Sequence, residues 1–275
     1  MAVFSLVKTV VEGIEVQLVR LEDLLDLSRR QGMDLNALML EALEQGLWPE
    51  PLVRNHPTLT AAEQARLLRS RAVVLGLGGL GGHLSALLAR CGIGHLVLVD
   101  GDTFEATNLN RQALCTLETL GRGKADTANL HCRAIQPGIR TTVWETDFTL
   151  ENGPDILKGA DVVLDGLDKV ATRKTACGLA LSMKIPFIHG AVQGWSGQTS
   201  TFMPQDGLGL DAIYPVGRDH DSPPSVLAPV VATVAALQVQ EAVRLLCGRP
   251  PANAGRLIFF DGLDTAFHKI SLVSD

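Results

Sequence analysis

The chain has 275 residues, 46% of them hydrophobic and 20% charged, with 27 glycines. That is ordinary globular composition, enough for one large α/β domain plus an extension. A net charge of −6 argues against the basic face that nucleic-acid binding wants, and it suits neither an anionic membrane surface nor an acidic partner held by bulk attraction.

Residues 1–53 read as a helical extension ending in a linker. Leu21, Leu24, Leu25 and Leu27, then Leu35, Leu38, Leu40 and Leu43, recur at helical spacing among acids and arginines. Such an amphipathic stretch is a packing or dimerisation arm. Trp48-Pro49-Glu50-Pro51 breaks the pattern and reads as the linker. Thr60-Ala61-Ala62-Glu63 fits a capping box that opens a helix through Arg69.

From Arg71 onward strands and helices alternate. Strands are expected at 72–75, 95–99, 140–145, 162–164, 187–191 and 199–203, and helices at 81–90, 123–135, 171–183 and 228–247. A closing hairpin pairs 257–260 with 267–272 across Asp261-Gly262. This order implies a Rossmann-like, doubly wound, mainly parallel sheet with antiparallel strands at the C-terminal end. Ser222 to Gln240 carries no charge, but it holds three prolines and two glutamines. Its apolar part is too short to span a bilayer, and a buried helix is expected. The cysteines at 91, 115, 132, 177 and 247 form no C-x-x-C pair, which reads as reduced and cytoplasmic. The apolar run at the N-terminus is short and lacks a small-residue cleavage site, so no secretory signal is expected.

The stretch V-V-L-G-L-G-G-L-G-G, residues 73–82, drops a strand into five glycines. Gly76-x-Gly78-x-x-Gly81 lies between that strand and a helix, and Asp100 comes nineteen residues after Gly81, at the end of the next strand. Bare backbone can approach phosphate there, a helix N-terminus faces it, and the carboxylate can take ribose hydroxyls. The loop alone does not choose between a nicotinamide dinucleotide and ATP. A triphosphate undergoing cleavage needs cations on its tail and usually Mg²⁺.

The residues after Asp100 supply them. V-D-G-D-T-F-E-A-T-N-L-N-R-Q spans 99–112, G-R-G-K-A contains Lys124, D-V-V-L-D-G-L-D-K-V-A-T-R-K spans 161–174, and H-G-A-V-Q-G-W-S-G-Q-T-S-T-F spans 189–202. Arg111 and Lys124 provide two positive charges for a phosphate tail. Asn108 and Gln112 can donate amide hydrogens to phosphate oxygens. Asp168, just past the 162–164 strand, is a natural Mg²⁺ ligand, whereas Asp165 would orient it or cap the next helix.

This series resembles the ThiF/MoeB/HesA family, bacterial relatives of ubiquitin-activating enzymes, over residues 54–275. The resemblance implies an ATP-binding adenylation domain in which Gly79 and its neighbours cover the phosphates and Asp100 binds ribose. It further implies that Asn108, Arg111, Gln112 and Lys124 hold the phosphate tail, that Asp168 binds Mg²⁺, and that Asp102 positions the set. The implied substrate is a ubiquitin-like sulfur carrier of MoaD or ThiS type, in molybdopterin, tungstopterin or thiamine synthesis. Its C-terminal Gly-Gly carboxylate attacks the α-phosphorus of ATP, pyrophosphate leaves, and an acyl-adenylate forms. A carboxylate is already ionised at pH 7, so this needs neither an enzyme nucleophile nor a general base. A homodimer is implied as well. Arg54 falls about where the family places an arginine that reaches the partner's ATP site.

The sequence also departs from the family. The C-x-x-C pairs that hold zinc in many members are missing, so no zinc is expected. Asp221 stands where several members carry a cysteine, no cysteine lies between Cys177 and Cys247, and Cys247 reads as a core residue. A thioester step is therefore not expected. His220, beside two aspartates, reads as part of a polar loop, and Trp195 either contacts the carrier tail or packs in the core. Three other readings compete: an enzyme like the tRNA threonylcarbamoyladenosine dehydratase branch, a non-catalytic carrier-binding scaffold, and a nicotinamide dehydrogenase. The acidic balance speaks against tRNA, and retention of Arg111, Lys124 and Asp168 together speaks against a scaffold.

Overall fold

The structure, a computed structural model, describes residues 4–215 and 225–273. The chain opens with a hairpin rather than a helix. Strands β1 (Val7–Val11) and β2 (Ile14–Val19) pair antiparallel, turning at Glu12 and Gly13, which both have positive φ. Two successive positive-φ residues make a tight turn whose twist matches that of the strands, and this overrides the helical reading of residues 7–19. The leucine stripes do form helices, α1 (Leu21–Gln31) and α2 (Leu35–Glu44). The expected linker is no linker. Trp48–Pro49, strand β3, pairs in parallel with β2, and Trp48 is buried. A 3₁₀ turn over Glu50–Asn55 leads to α3 (Ala61–Arg69), whose Thr60/Glu63 capping box is fully formed.

The body then alternates β4 (Arg71–Leu75), α4 (Gly79–Cys91), β5 (His95–Val99), α5 (Lys124–Ile135), β6 (Arg140–Trp144), α6 (Gly153–Leu157), β7 (Val162–Asp165), α7 (Val170–Ser182) and β8 (Phe187–Gln193). It closes with β9 (Ser196–Phe202), α8 (Ala228–Leu246), β10 (Arg256–Asp261) and β11 (Ala266–Ser271). The strands form one sheet of order β11-β10-β9-β8-β7-β4-β5-β6. Pairing is parallel from β8 to β6 and antiparallel from β8 to β11.

The central strands are apolar at all but one end residue each, Arg71, His95 and Asp165, because both faces are covered. Ala72 and Val74 of β4 join a core made with α4, α5 and α8, while Val73 and Leu75 join the opposite core under α7. Leu24, Leu38, Met39, Trp48 and Leu52 belong to the first of these cores, so the N-terminal layer is continuous with the body. Helix α8 has the length and apolarity of a membrane span, which corrects the expectation that it is too short. It packs as a core helix, with polar Gln238 and Glu241 buried and bonded: Gln238 donates to the Asp165 and Ile188 carbonyls, and Glu241 accepts from Thr201 and from the Ala252 and Asn253 N–H groups.

Strand order reverses direction between β4 and β7. Ligands in open α/β sheets bind outside the carboxyl ends of the strands at such a switch point.

Candidate functional site

A cavity of about 870 Å³ opens at that switch point, within the usual size range of ligand sites. Its first wall is the glycine loop after β4. Gly76 has φ +78°, and a Cβ there would lie 2.7 Å from the Gly166 carbonyl oxygen. A Cβ on Gly81 would lie 1.8 Å from the Gly76 carbonyl oxygen. Gly81 therefore serves close packing of α4 on the loop and does not itself line the cavity, whereas Gly76, Gly78 and Gly79 do. Helix α4 begins at Gly79, two residues earlier than the sequence suggested, so its N-terminus faces the opening.

Asp100 directly follows β5, beside this loop. Its Oδ2 accepts the Leu77 N–H at 2.6 Å and its Oδ1 accepts the Asp102 N–H at 2.8 Å. Burial pushes the carboxyl up from the ordinary carboxylate value, against the opposing pull of those two bonds. A carboxylate has about four acceptor sites, so Asp100 can hold the loop and still face a sugar hydroxyl in the cavity it lines.

The cations come next. Lys124, at the start of α5, is buried except toward the cavity, and its Nζ lies 2.8 Å from Asp102 Oδ2. Arg111 lines the cavity too, one guanidinium nitrogen donating to the Thr107 carbonyl at 3.0 Å and to Asn110 Oδ1 at 2.9 Å. Gln112 lies against Gly78, and its buried Oε1 has no hydrogen-bond partner. Asn108 has a different job from the phosphate contact expected of it. Its Oδ1 accepts the Glu105 N–H at 3.1 Å, its backbone carbonyl accepts from Gln112, and it does not line the cavity. It braces the turn that carries Arg111 and Gln112.

The opposite side of the opening is the turn after β7. Asp168 is exposed and lines the cavity. Asp165 is wholly buried, and its Oδ1 accepts the Leu167 N–H at 3.0 Å. Arg173 of α7 donates to the Leu167 carbonyl through both Nε, at 3.0 Å, and Nη2. Asp165 and Arg173 thus clamp the backbone that presents Asp168.

Beyond this turn the 190–198 segment, which the resemblance implies is a wall of this region, does line the cavity, and it is backed by a buried polar cluster that sequence reasoning missed. His189 is fully buried, and its Nδ1 lies 2.7 Å from Asp165 Oδ2. Burial pushes its imidazole below the ordinary value, outweighing the opposing pull of Asp165, so the ring is neutral. Gln198 Nε2 lies 2.7 Å from the Tyr214 hydroxyl oxygen and 3.3 Å from His189 Nε2. The Tyr214 hydroxyl is also 3.3 Å from His189 Nε2, with the two rings edge-on at 90°. The pairing register held the signal: Leu164 pairs with Ile188 in parallel, which puts Asp165 beside His189. Ala191, Val192, Val226, Val231 and Phe259 give this side of the cavity an apolar lining.

The remaining expectations fall outside the cavity. Arg54 is exposed and does not line it. Trp195 is 52% exposed at the β8–β9 turn, which rules out core packing. All five cysteines are free thiols and none lines the cavity, Cys247 being buried as expected. His220 and Asp221 lie outside the described residues. Among the described residues no group of three His, Cys, Asp or Glu side chains is placed to hold a metal ion. Mg²⁺ is ordinarily held by one or two carboxylates together with substrate phosphates, and a single free-facing Asp168 fits that mode.

The ThiF family matches residues 52–275. The SAMP-activating enzyme E1 of Haloferax volcanii is 34% identical over 75% of this chain and 78% of that protein. The sulfur carrier protein ThiS adenylyltransferase of Escherichia coli is 33% identical over 76% of this chain and 84% of its own. The probable adenylyltransferase/sulfurtransferase MoeZ of Mycobacterium tuberculosis is 33% identical over 80% of this chain, which spans only 58% of MoeZ. In fold, the chain is similar to Escherichia coli MccB with ATP, at a TM-score of 0.68 and 22% identity over 78% of this chain and 67% of that one. It is similar also to PaaA, at 0.70 and 18% over 91% of this chain and 81% of that one.

Proposed function

The chain belongs to the ThiF family and is an ATP-dependent adenylyltransferase, and from that premise we propose that it activates the C-terminal Gly-Gly carboxylate of a MoaD- or ThiS-like sulfur carrier for molybdopterin, tungstopterin or thiamine synthesis. One observation carries the reading: a single cavity joins the glycine loop, Arg111, Lys124 and the exposed Asp168 to an apolar wall, with no cysteine in its lining. That is a place for a triphosphate and a narrow chain end.

The chemistry comes from the charges. A carboxylate oxygen of the carrier bonds to the α-phosphorus of ATP, the bond from that phosphorus to the bridging oxygen breaks, and pyrophosphate leaves with the electron pair. The protein positions the two anions and neutralises the charge that develops on the leaving phosphates. Arg111 and Lys124 supply that neutralisation from one side, and the α4 N-terminus from another. Mg²⁺, when bound, would shield the phosphate oxygens, and Asp168 is the residue that would hold it. We further propose a cytoplasmic homodimer. The exposed Arg54, which does not line the cavity of its own chain, would be the residue completing a partner's site.

The test is ATP–pyrophosphate exchange with a carrier ending in Gly-Gly. Exchange that requires the carrier, and that falls by on the order of a hundredfold or more in Asp168→Ala, supports the reading. ATP binding without exchange for any sulfur carrier overturns it.

A further inference from the structure

We propose that Gln198 is a specificity-determining residue that reads the last amide N–H of the incoming tail, so that the site prefers a peptide carboxylate to a simple one. This role rests on the adenylation reading and extends it to substrate choice.

The decisive proton lies at the far end of a buried chain of polar groups. Asp165 lies 2.7 Å from His189 Nδ1 and 3.7 Å from the Arg173 guanidinium, with both carboxylate and imidazole removed from solvent. A carboxylate beside a guanidinium is an acceptor, so the hydrogen sits on His189 Nδ1. In a neutral ring the other nitrogen, Nε2, is then a bare lone pair. Gln198 faces that lone pair at 3.3 Å and the Tyr214 oxygen at 2.7 Å.

The lone pair decides which way round the Gln198 amide sits. Reversed, its carbonyl oxygen would oppose the Nε2 lone pair, and the single Tyr214 hydroxyl proton could serve only one of these two acceptors. The NH₂ group therefore points inward and spends its two hydrogens on His189 and Tyr214. Among the described residues its Oε1 accepts no hydrogen bond, it is not one of the buried unpartnered oxygens, and Gln198 lines the cavity. The chain from Asp165 to Tyr214 thus fixes one acceptor toward the cavity.

The surroundings say what it accepts. On the strands flanking β9, Gln198 is opposite Ala191 and Phe259, which line the same apolar wall. A carboxylate or phosphate oxygen would be repelled by Oε1. A neutral N–H donor would be bound, and in a Gly-Gly tail the amide nitrogen next to the terminal carboxylate is such a donor. A free small carboxylate has none. Asp165, His189 and Tyr214 are positioning residues, because they act through Gln198.

The experiment compares two semi-synthetic carriers, one ending Gly-Gly and one ending Gly-sarcosine, whose last amide nitrogen carries methyl instead of hydrogen. Both are assayed by carrier-dependent ATP–pyrophosphate exchange in the wild type, Gln198→Leu and Tyr214→Phe. The wild type is expected to prefer the N–H tail by about fivefold to tenfold in kcat/KM, the worth of one uncharged hydrogen bond. In Gln198→Leu the two tails should be used alike. In Tyr214→Phe, which frees one amide hydrogen and lets the amide turn, the preference should shrink part of the way. Because the methyl group also takes space, the reading is the change in preference between enzymes. A wild type that exchanges with both tails equally, or a Gln198→Leu enzyme that keeps the full preference, overturns the proposal and leaves adenylation standing. Absence of exchange with either tail in the wild type overturns the adenylation reading and this proposal with it.

Discussion

On one side of the cavity Lys124 and Arg111 stand beside exposed Asp102 and Asn110, in contacts that solvent or a ligand can replace. On the other side Asp165 and His189 lie wholly buried, bonded to each other and through Gln198 to Tyr214. Both walls are polar and both carry charge, yet the charges are aimed differently. The first wall points its charges at the space a ligand would fill, and the second points them at one another. Removing a group from the first should cost chemistry and leave the fold intact. Removing a group from the second strands a charge in the interior, and the cost should appear in folding.

The largest effect should come from the first wall. Lys124→Met removes a cation from the phosphate side and leaves behind Asp102, whose side chain is 70% exposed and is readily solvated. Exchange activity is expected to fall on the order of a hundredfold or more, with little change in melting temperature. A large fall in melting temperature would break the contrast. Next comes His189→Leu, which leaves the Asp165 carboxylate in the core with, among the described residues, Arg173 and the Leu167 N–H as its partners. Denaturant unfolding should show a loss of about 3 kcal/mol, and a loss of a few tenths would mean that the second wall is wetter than its burial implies.

The same contrast explains what the sequence disclosed. The first wall is local. Gly76 to Lys124 run through two βα units, so spacing alone relates them, and the loop, Asp100, Arg111, Gln112 and Lys124 all line one cavity. The second wall is assembled by register. Asp165 meets His189 only because β7 and β8 pair in parallel with Leu164 beside Ile188, and Tyr214 arrives from a loop beyond β9. Nothing in the spacing of 165, 189, 198 and 214 announces that. Asn108 shows a second limit, since an amide able to serve phosphate is equally able to cap a turn. The N-terminal hairpin is a different failure. Val-Val-Glu-Gly-Ile-Glu-Val alternates around a turn-forming Glu12-Gly13, a strand signal that the leucine stripes after residue 20 overshadowed.

A smaller effect sharpens the comparison through pH. His189 titrates below the ordinary imidazole value in the folded chain, while unfolded histidine takes its proton near pH 6.5. Its neutral, buried state therefore contributes stability fully above about pH 6.5, and that contribution is lost as the pH falls below it, by up to about 1.4 kcal/mol per pH unit. The other histidines complicate a single curve. The quantity to follow is the difference in unfolding free energy between wild type and His189→Leu, which should narrow from pH 7 to pH 5. A difference that widens on acidification would mean that His189 is already protonated beside Asp165, and the inward orientation of the Gln198 amide would lose its basis.

The smallest expected effect tests where the second wall ends. Gly178 sits mid-helix in α7, exposed, with nothing within 4 Å of an added Cβ. Alanine there should stabilise by about 0.5–1 kcal/mol, because glycine loses more backbone freedom on folding and helix interiors favour alanine. Melting temperature should rise by about 2 °C. The inner side of the same helix carries Arg173, which holds the Leu167 carbonyl and with it the turn that presents Asp168. If α7 is a rigid support, Gly178→Ala raises the melting temperature and leaves exchange kinetics unchanged. If exchange slows while stability rises, the Asp168 turn depends on give in α7, and the division between a wall that does chemistry and a wall that holds the fold fails at Arg173.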